Sequence, residues 1–253
     1  MKKFIFIIGL HRSGTTFLLD IFRRQHNISG LKYVHNNFHK NEGQYYQKVL
    51  KTDEELGWIG KIAYSENAHQ TEESEILKKY NAEDFFNSLK PNLQNPTSNV
   101  IVEKSPPYIT QTRLLQKMFP NSYFVVIIRH PIFNTLSTKE FVKNRYEADE
   151  HELMNHWFKA HKILFEDLKY INNKIVLTYE ELANNTLKVI NALEEFVNEK
   201  FNDKDFFAFN SNTKYKVNKY EFIIHDIMCN TYGYSTKNLN LYLPIEDLNS
   251  ILL

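Results

Sequence analysis

The sequence predicts an α/β protein, a three-layer α/β/α sandwich around a central parallel sheet. Apolar runs at residues 4–8, 100–102, 123–128 and 175–178 are short and rich in Val, Ile, Phe and Tyr. They lack the alternation of a half-exposed sheet, which is how strands covered on both faces read. Segments with helical periodicity fall between and after them, the rhythm of parallel strands joined by crossover helices.

The first strand, Phe4-Ile5-Phe6-Ile7-Ile8, feeds a glycine-bounded loop at residues 9–16. A helix over 15–25 follows, with Phe17, Leu18, Ile21 and Phe22 marking its buried side. Residues 36 to about 98 then break the rhythm: they are polar, their aromatics are irregularly spaced, and 92–99 read as loop. Segments inserted at the carboxyl ends of parallel strands shape ligand sites in open α/β folds, so this region is expected to cover one. A short helix over 110–118 is closed by Phe119-Pro120-Asn121 before the next strand. A helix over 152–170 carries Leu153, Trp157, Leu164, Leu168 and Ile171 on one stripe. Another over 180–197 carries Leu182, Leu187, Ile190, Leu193 and Val197. The unbroken alternation predicts one domain over 1–253.

Composition narrows the function. Lys+Arg 31 against Asp+Glu 30 leaves a net charge of +1, which gives no support to general nucleic-acid or membrane-surface binding. Any anion must be held by locally placed groups. Cys229 is the only cysteine, so there is no internal disulfide, and a reducing, cytoplasmic setting is expected. Met1-Lys2-Lys3 and the run after it resemble a signal peptide, but the run is short and no small-residue cleavage site follows. No run approaches the roughly 20 apolar residues of a membrane span. Oligomeric state is not legible.

Three motifs sit at strand ends. Gly9-Leu10-His11-Arg12-Ser13-Gly14-Thr15-Thr16 lies between a strand and a helix, the layout of a phosphate-cradling P-loop. The nucleotide-triphosphatase form puts lysine before its last Ser/Thr. Here Thr15 takes that place and Arg12 supplies the cation, which weakens an ATP-hydrolysing reading. The second motif is Val102-Glu103-Lys104-Ser105-Pro106-Pro107-Tyr108. Glu103 reads as a Mg²⁺-holding carboxylate of a small-molecule kinase, but Lys104 beside it brings a second positive charge to the phosphate end. The third is Arg129-His130-Pro131 after the strand at 123–128, with Ser137 eight positions on. A guanidinium and a hydroxyl so placed can converge on one phosphate.

Together these motifs resemble the sulfotransferases that use 3′-phosphoadenosine-5′-phosphosulfate (PAPS). The resemblance spans residues 4 to about 182. It implies a P-loop NTPase-like sulfotransferase fold in which Arg12, Ser13, Gly14, Thr15 and Thr16 grip the 5′-phosphosulfate. Arg129 and Ser137 would hold the 3′-phosphate. Glu103-Lys104-Ser105-Pro106 is similar to a stretch of glycan and bacterial members. Thr178-Tyr179-Glu180-Glu181-Leu182 is similar to an element whose tyrosine, here Tyr179, lies near the nucleotide. A late basic residue often closes that site, here Lys214 or Lys216.

The implied reaction is sulfuryl transfer to a hydroxyl or amine of a small-molecule or glycan acceptor, with no metal required. Arg12 and Lys104 would stabilise the developing charge. The general base expected after the first helix is Glu42, in Glu-Gly-Gln-Tyr, or His35. The region 36–98 then becomes the acceptor-side lid, with Tyr45, Tyr46 and Trp58 as candidates for an aromatic wall or plain core. His35 and His39 read as solvated side chains rather than a metal pair. A kinase using Mg²⁺-ATP and a non-catalytic nucleotide- or glycan-binding relative remain as alternatives.

Overall fold

The computed structural model describes residues 2–34 and 41–252. Five parallel strands form one sheet in the order β2-β3-β1-β4-β5. They are β1 Lys3–Ile8, β2 Ile28–Ser29, β3 Val100–Lys104, β4 Tyr123–Ile128 and β5 Asn173–Thr178. The long strands lie where the apolar runs predict them. β2 has two residues at the sheet edge, too short to register as a run.

Side chains alternate across the pleat, so each strand feeds two cores. Phe4, Phe6 and Ile8 face one cluster with Phe85, Leu115, Trp157 and Leu164. Ile5 and Ile7 face the other with Leu18, Phe22, Ile190 and Leu193. Helices therefore cover both faces, the predicted three layers. The first core draws on α2 Ala82–Leu89, α3 Thr112–Met118 and α5 Glu150–Leu168. The second draws on α1 Thr15–Arg23 and α7 Thr186–Val197.

Three elements depart from the sequence reading for local reasons. β3 runs on through Glu103 and Lys104, which places these neighbours on opposite faces of the sheet. The helix expected over 180–197 is two, α6 Tyr179–Asn184 and α7, broken where Asn185 leaves helical geometry at φ −133°. The helix expected from 110 begins at Thr112, after a buried 3₁₀ turn at Pro106–Thr110 in which the paired prolines set the exit from β3.

The lid region contains short 3₁₀ turns at Gly43–Tyr45, Ile62–Tyr64 and Glu75–Lys78, and helix α2. An Asn81–Asp84 capping box starts α2. β1 and β4 are neighbours whose following connections run to opposite sides of the sheet. Their carboxyl ends define the topological switch point, where open α/β sheets bind ligands.

Candidate active site

The loop after β1 is shaped for an anion. Gly14 caps α1 at φ +94°, and a Cβ there would lie 2.7 Å from Cδ2 of Tyr179, so only glycine fits. No side chain caps this end and its first turn holds no acid. The orphan amides and positive end of the helix dipole are thus open to a ligand. Arg12 is also left-handed, at φ +67°, a conformation that costs a non-glycine residue about 1 kcal/mol or more. Arg129 Nη1 holds it there by donating to the Arg12 carbonyl at 2.7 Å. From α4 Pro131–Val142, Asn134 Nδ2 donates to the His11 carbonyl at 3.0 Å and to Ser13 Oγ at 3.1 Å.

Arg129 leaves β4 into the interior, only 4% exposed. Its Nε donates to Asn212 Oδ1 at 2.9 Å, and its guanidinium carbon lies 4.5 Å from the Tyr179 ring centre. Its Nη2 is buried without a hydrogen-bond partner among the described residues. Burial lowers the Arg129 pKa, against the opposing pull of Tyr179 and Glu180. Ser137, two turns along α4, accepts from Arg12 Nε at 3.1 Å. Arg129 and Ser137 thus meet the same loop residue, Arg12, but only Arg129 also lines the ligand space; Ser137 lines neither cavity.

Tyr179 is fixed through its hydroxyl, which donates to the Phe209 carbonyl at 2.9 Å and accepts from the Ser211 amide at 2.8 Å. These groups enclose a cavity of about 250 Å³ with Thr15, Thr16 and Phe17. Neither Lys214 nor Lys216 lines it; Lys214 Nζ sits 5.6 Å from the Phe209 ring centre. The side chain that this late segment sends to Arg129 is Asn212, which also donates to buried Glu180 Oε1 at 2.8 Å. No motif marks Asn212, and nothing in the sequence singled it out.

Arg12, Thr15 and Thr16 also border a second cavity, of about 100 Å³, on the lid side. Lys104 enters it from the end of β3 and pairs with Glu42 Oε1. Glu42 Oε2 accepts from Gln44 Nε2 at 2.6 Å, so both oxygens of the expected base are engaged.

Glu103 points the other way. It is 1% exposed and accepts from the Gly43 amide at 2.7 Å and Ser105 Oγ at 2.8 Å. Burial pushes its carboxyl up to about 7, against those bonds. A Cβ on Gly43 would lie 2.3 Å from Glu103 Oε1, which explains the glycine after Glu42. The reading of Glu103 as a metal-holding acid at the phosphate end is therefore corrected: the carboxylate anchors the lid.

One group in this cavity escaped the sequence reading. Asp53, 1% exposed, accepts from Tyr45 Oη at 2.9 Å and lies 3.2 Å from His11 Nε2. Burial alone would raise Asp53, but the bonds and charge of His11 and the bond from Tyr45 outweigh it and hold the carboxyl below its usual range. Of the three aromatics, Tyr45 lines the cavity and Tyr46 packs on the main core. Trp58, left-handed at φ +85°, backs Arg145, whose guanidinium carbon lies 5.3 Å from its ring centre. His35 and His39 lie outside the described residues. Among the described residues, no group of three or more His, Cys, Asp or Glu could hold a metal, and no helix is long and apolar enough to cross a membrane.

The comparisons with known proteins agree with this fold. A sulfotransferase from Alicyclobacillus acidocaldarius matches with a TM-score of 0.55 at 13% identity, covering 89% of this chain and 91% of that one. Sulfotransferase STF9 from Mycobacterium avium matches with a TM-score of 0.52 at 11% identity, covering 98% and 74%. At such identities these likenesses speak for the fold. No curated protein is significantly similar in sequence. The model of the sulfotransferase family matches residues 5–203, most of the chain, and this protein belongs to that family.

Proposed function

We propose that the protein transfers a sulfuryl group from PAPS to a hydroxyl or amine of a small-molecule or glycan acceptor. The observation that carries this reading is Arg129 Nη2, a buried donor left without a partner beside the open amides of α1. An unpaired buried charge is costly, and an anionic ligand in the 250 Å³ cavity would satisfy it. Arg129, Ser137 and Tyr179 suit the 3′-phosphate end of the donor. The loop amides of Gly14, Thr15 and Thr16 suit its 5′-phosphosulfate, whereas the Ser13 amide donates to the Leu10 carbonyl at 3.2 Å.

The two cavities meet at Arg12, Thr15 and Thr16, which suits an in-line transfer from one to the other. Positioning and charge stabilisation carry most of the catalysis in such loose transition states. In this reading Arg12, at the junction, stabilises charge on the leaving bridging oxygen. Lys104, held in the cavity by its pair with Glu42, stabilises the sulfuryl oxygens. With these cations in place the step needs no metal.

Calorimetric titration with 3′-phosphoadenosine-5′-phosphate (PAP), ATP and ADP tests the donor. PAP should bind tightly without Mg²⁺ and ATP weakly. Hydrogen bonds to charged groups contribute about 1.5–3 kcal/mol each, so Arg129→Ala should weaken PAP by roughly 100-fold or more. A preference for Mg²⁺-ATP that survives Arg129→Ala would replace this reading with the kinase one, which the buried, lid-anchoring Glu103 disfavours.

A further inference from the structure

The acceptor needs a group to take its proton, and Glu42 is already committed to Lys104 and Gln44. The same cavity holds a better-prepared pair. We propose that His11 and Asp53 act together as the general base; the assignment rests on the sulfotransferase reading of the site.

The geometry is that of an oriented base. Asp53 is held at four points. Tyr45 Oη donates to Oδ1 at 2.9 Å, and His11 Nε2 lies 3.2 Å from Oδ2. The Asp53 amide donates to Gln44 Oε1 at 2.8 Å, and its carbonyl accepts from the Trp58 amide at 2.6 Å. With Nε2–H directed to the carboxylate, Nδ1 keeps its lone pair and is the basic atom. His11 stands next to Arg12 in the loop, and both line this cavity with Asp53, so an acceptor bound there meets the pair and the loop cation in one space.

The step balances. The acceptor oxygen bonds to sulfur while the bridging S–O bond breaks, its electron pair staying on the PAP phosphate oxygen. The acceptor's proton passes to His11 Nδ1, giving an imidazolium beside the Asp53 carboxylate. General-base assistance of this kind contributes about 10²–10⁴-fold.

The experiment follows PAP formation from PAPS with three acceptor probes: water, phenol, and 4-nitrophenol at a pH where it is already ionised. His11→Gln and Asp53→Asn should slow the water and phenol reactions by about 100-fold. They should leave the 4-nitrophenol reaction nearly unchanged, because its proton is already gone, and leave PAP affinity intact. Glu42→Gln, acting through Lys104, should change all three reactions alike.

A purely structural role for the pair, tying the loop to the lid, would slow the three probes equally and overturn the proposal. So would an acceptor-dependent loss that follows Glu42→Gln or His35→Gln instead. Wild-type protein that binds PAP but forms none from PAPS with any probe also overturns it. Failure of the wild type to bind PAP at all would sink the sulfotransferase reading itself, a separate outcome.

Discussion

The two cavities that meet at Arg12 are built by different means. On the donor side, strand ends do most of the placing: β1 ends into the loop, Gly14 opens α1, and β4 delivers Arg129, which with Asn134 then fixes the loop carbonyls. On the lid side, long-range side-chain bonds to backbone do it. Glu103 holds the Gly43 amide, Ser105 the Gln44 amide and Gln44 the Asp53 amide. Gln111 bonds both ways to Lys51, across sixty positions of sequence. A site placed by strand ends is as firm as the sheet, whereas one placed by buried polar side chains depends on their protonation.

Acid should break that comparison hardest. His156 and His161, on α5, are fully or almost fully buried, and burial drives both pKa values down to about 3 from an ordinary 6.5. His130, which caps α4 on the donor side, falls to about 4 for the same reason. The unfolded chain takes these protons below pH 6.5 and the folded one does not, so stability is lost as pH falls from there towards 4. Each histidine accounts for about 1.4 kcal/mol per pH unit across that window. His156 Nε2 accepts from the Ala63 amide at 3.2 Å, a bond that protonation abolishes. Urea unfolding between pH 7.5 and 5 should show the steep loss, and His156→Gln should flatten it. Hydrogen exchange should open the lid around Ala63 before the loop after β1; simultaneous opening would erase the distinction between the two sides.

Glu103 sharpens the comparison in the opposite direction. Burial pushes its carboxyl up to about 7 from an ordinary 4.5, so between those values the folded state holds a proton the unfolded one has lost. Stability therefore declines as pH rises from about 4.5 to 7, by on the order of 3 kcal/mol in full. Three histidines outweigh one carboxyl over most of the shared window, and the net curve still falls with acid. Glu103→Gln keeps an acceptor for the Gly43 amide and Ser105, so the variant should match wild type near pH 4.5 and exceed it at pH 8. A variant less stable than wild type at pH 8 would mean that the ionised carboxylate, and not its neutral form, anchors the lid.

The same contrast explains how much the sequence revealed. The long strands, the loop and the position of Arg129 were legible because each follows from a local pattern: an apolar run, a glycine spacing, a charge at a strand end. Lys104 and Glu42 each stand out in the sequence, but their mutual ion pair joins positions 62 residues apart and no periodicity encodes it. Asp53 and Asn212 carry no motif at all; their roles arise when His11 and Arg129 reach them across the fold. The split of α6 from α7 at Asn185 escaped because the apolar stripe continues through the break. His11 was in plain view inside the loop motif, and only the nearby carboxylate gives it a chemical meaning.

The smallest expected effect tests whether the donor side is closed by a charge or by a hydrogen-bonded frame. Asn212 receives Arg129 Nε and donates to Glu180, so Asn212→Ala removes one bond from a buried guanidinium and one from a buried carboxyl. Glu180 retains the His130 amide at 3.1 Å and the Tyr234 hydroxyl at 3.1 Å, so the fold should survive. Misorienting Arg129 should weaken PAP by about tenfold, the worth of one charge-assisted bond. Lys214 is exposed and lies over the Phe209 face, a contact worth about 0.5 kcal/mol, so Lys214→Ala should stay within about threefold. The two titrations separate the designs: the reverse ranking would mean that residues 207–216 swing inward and set the lysine on the bound phosphate, making the late segment as movable as the lid.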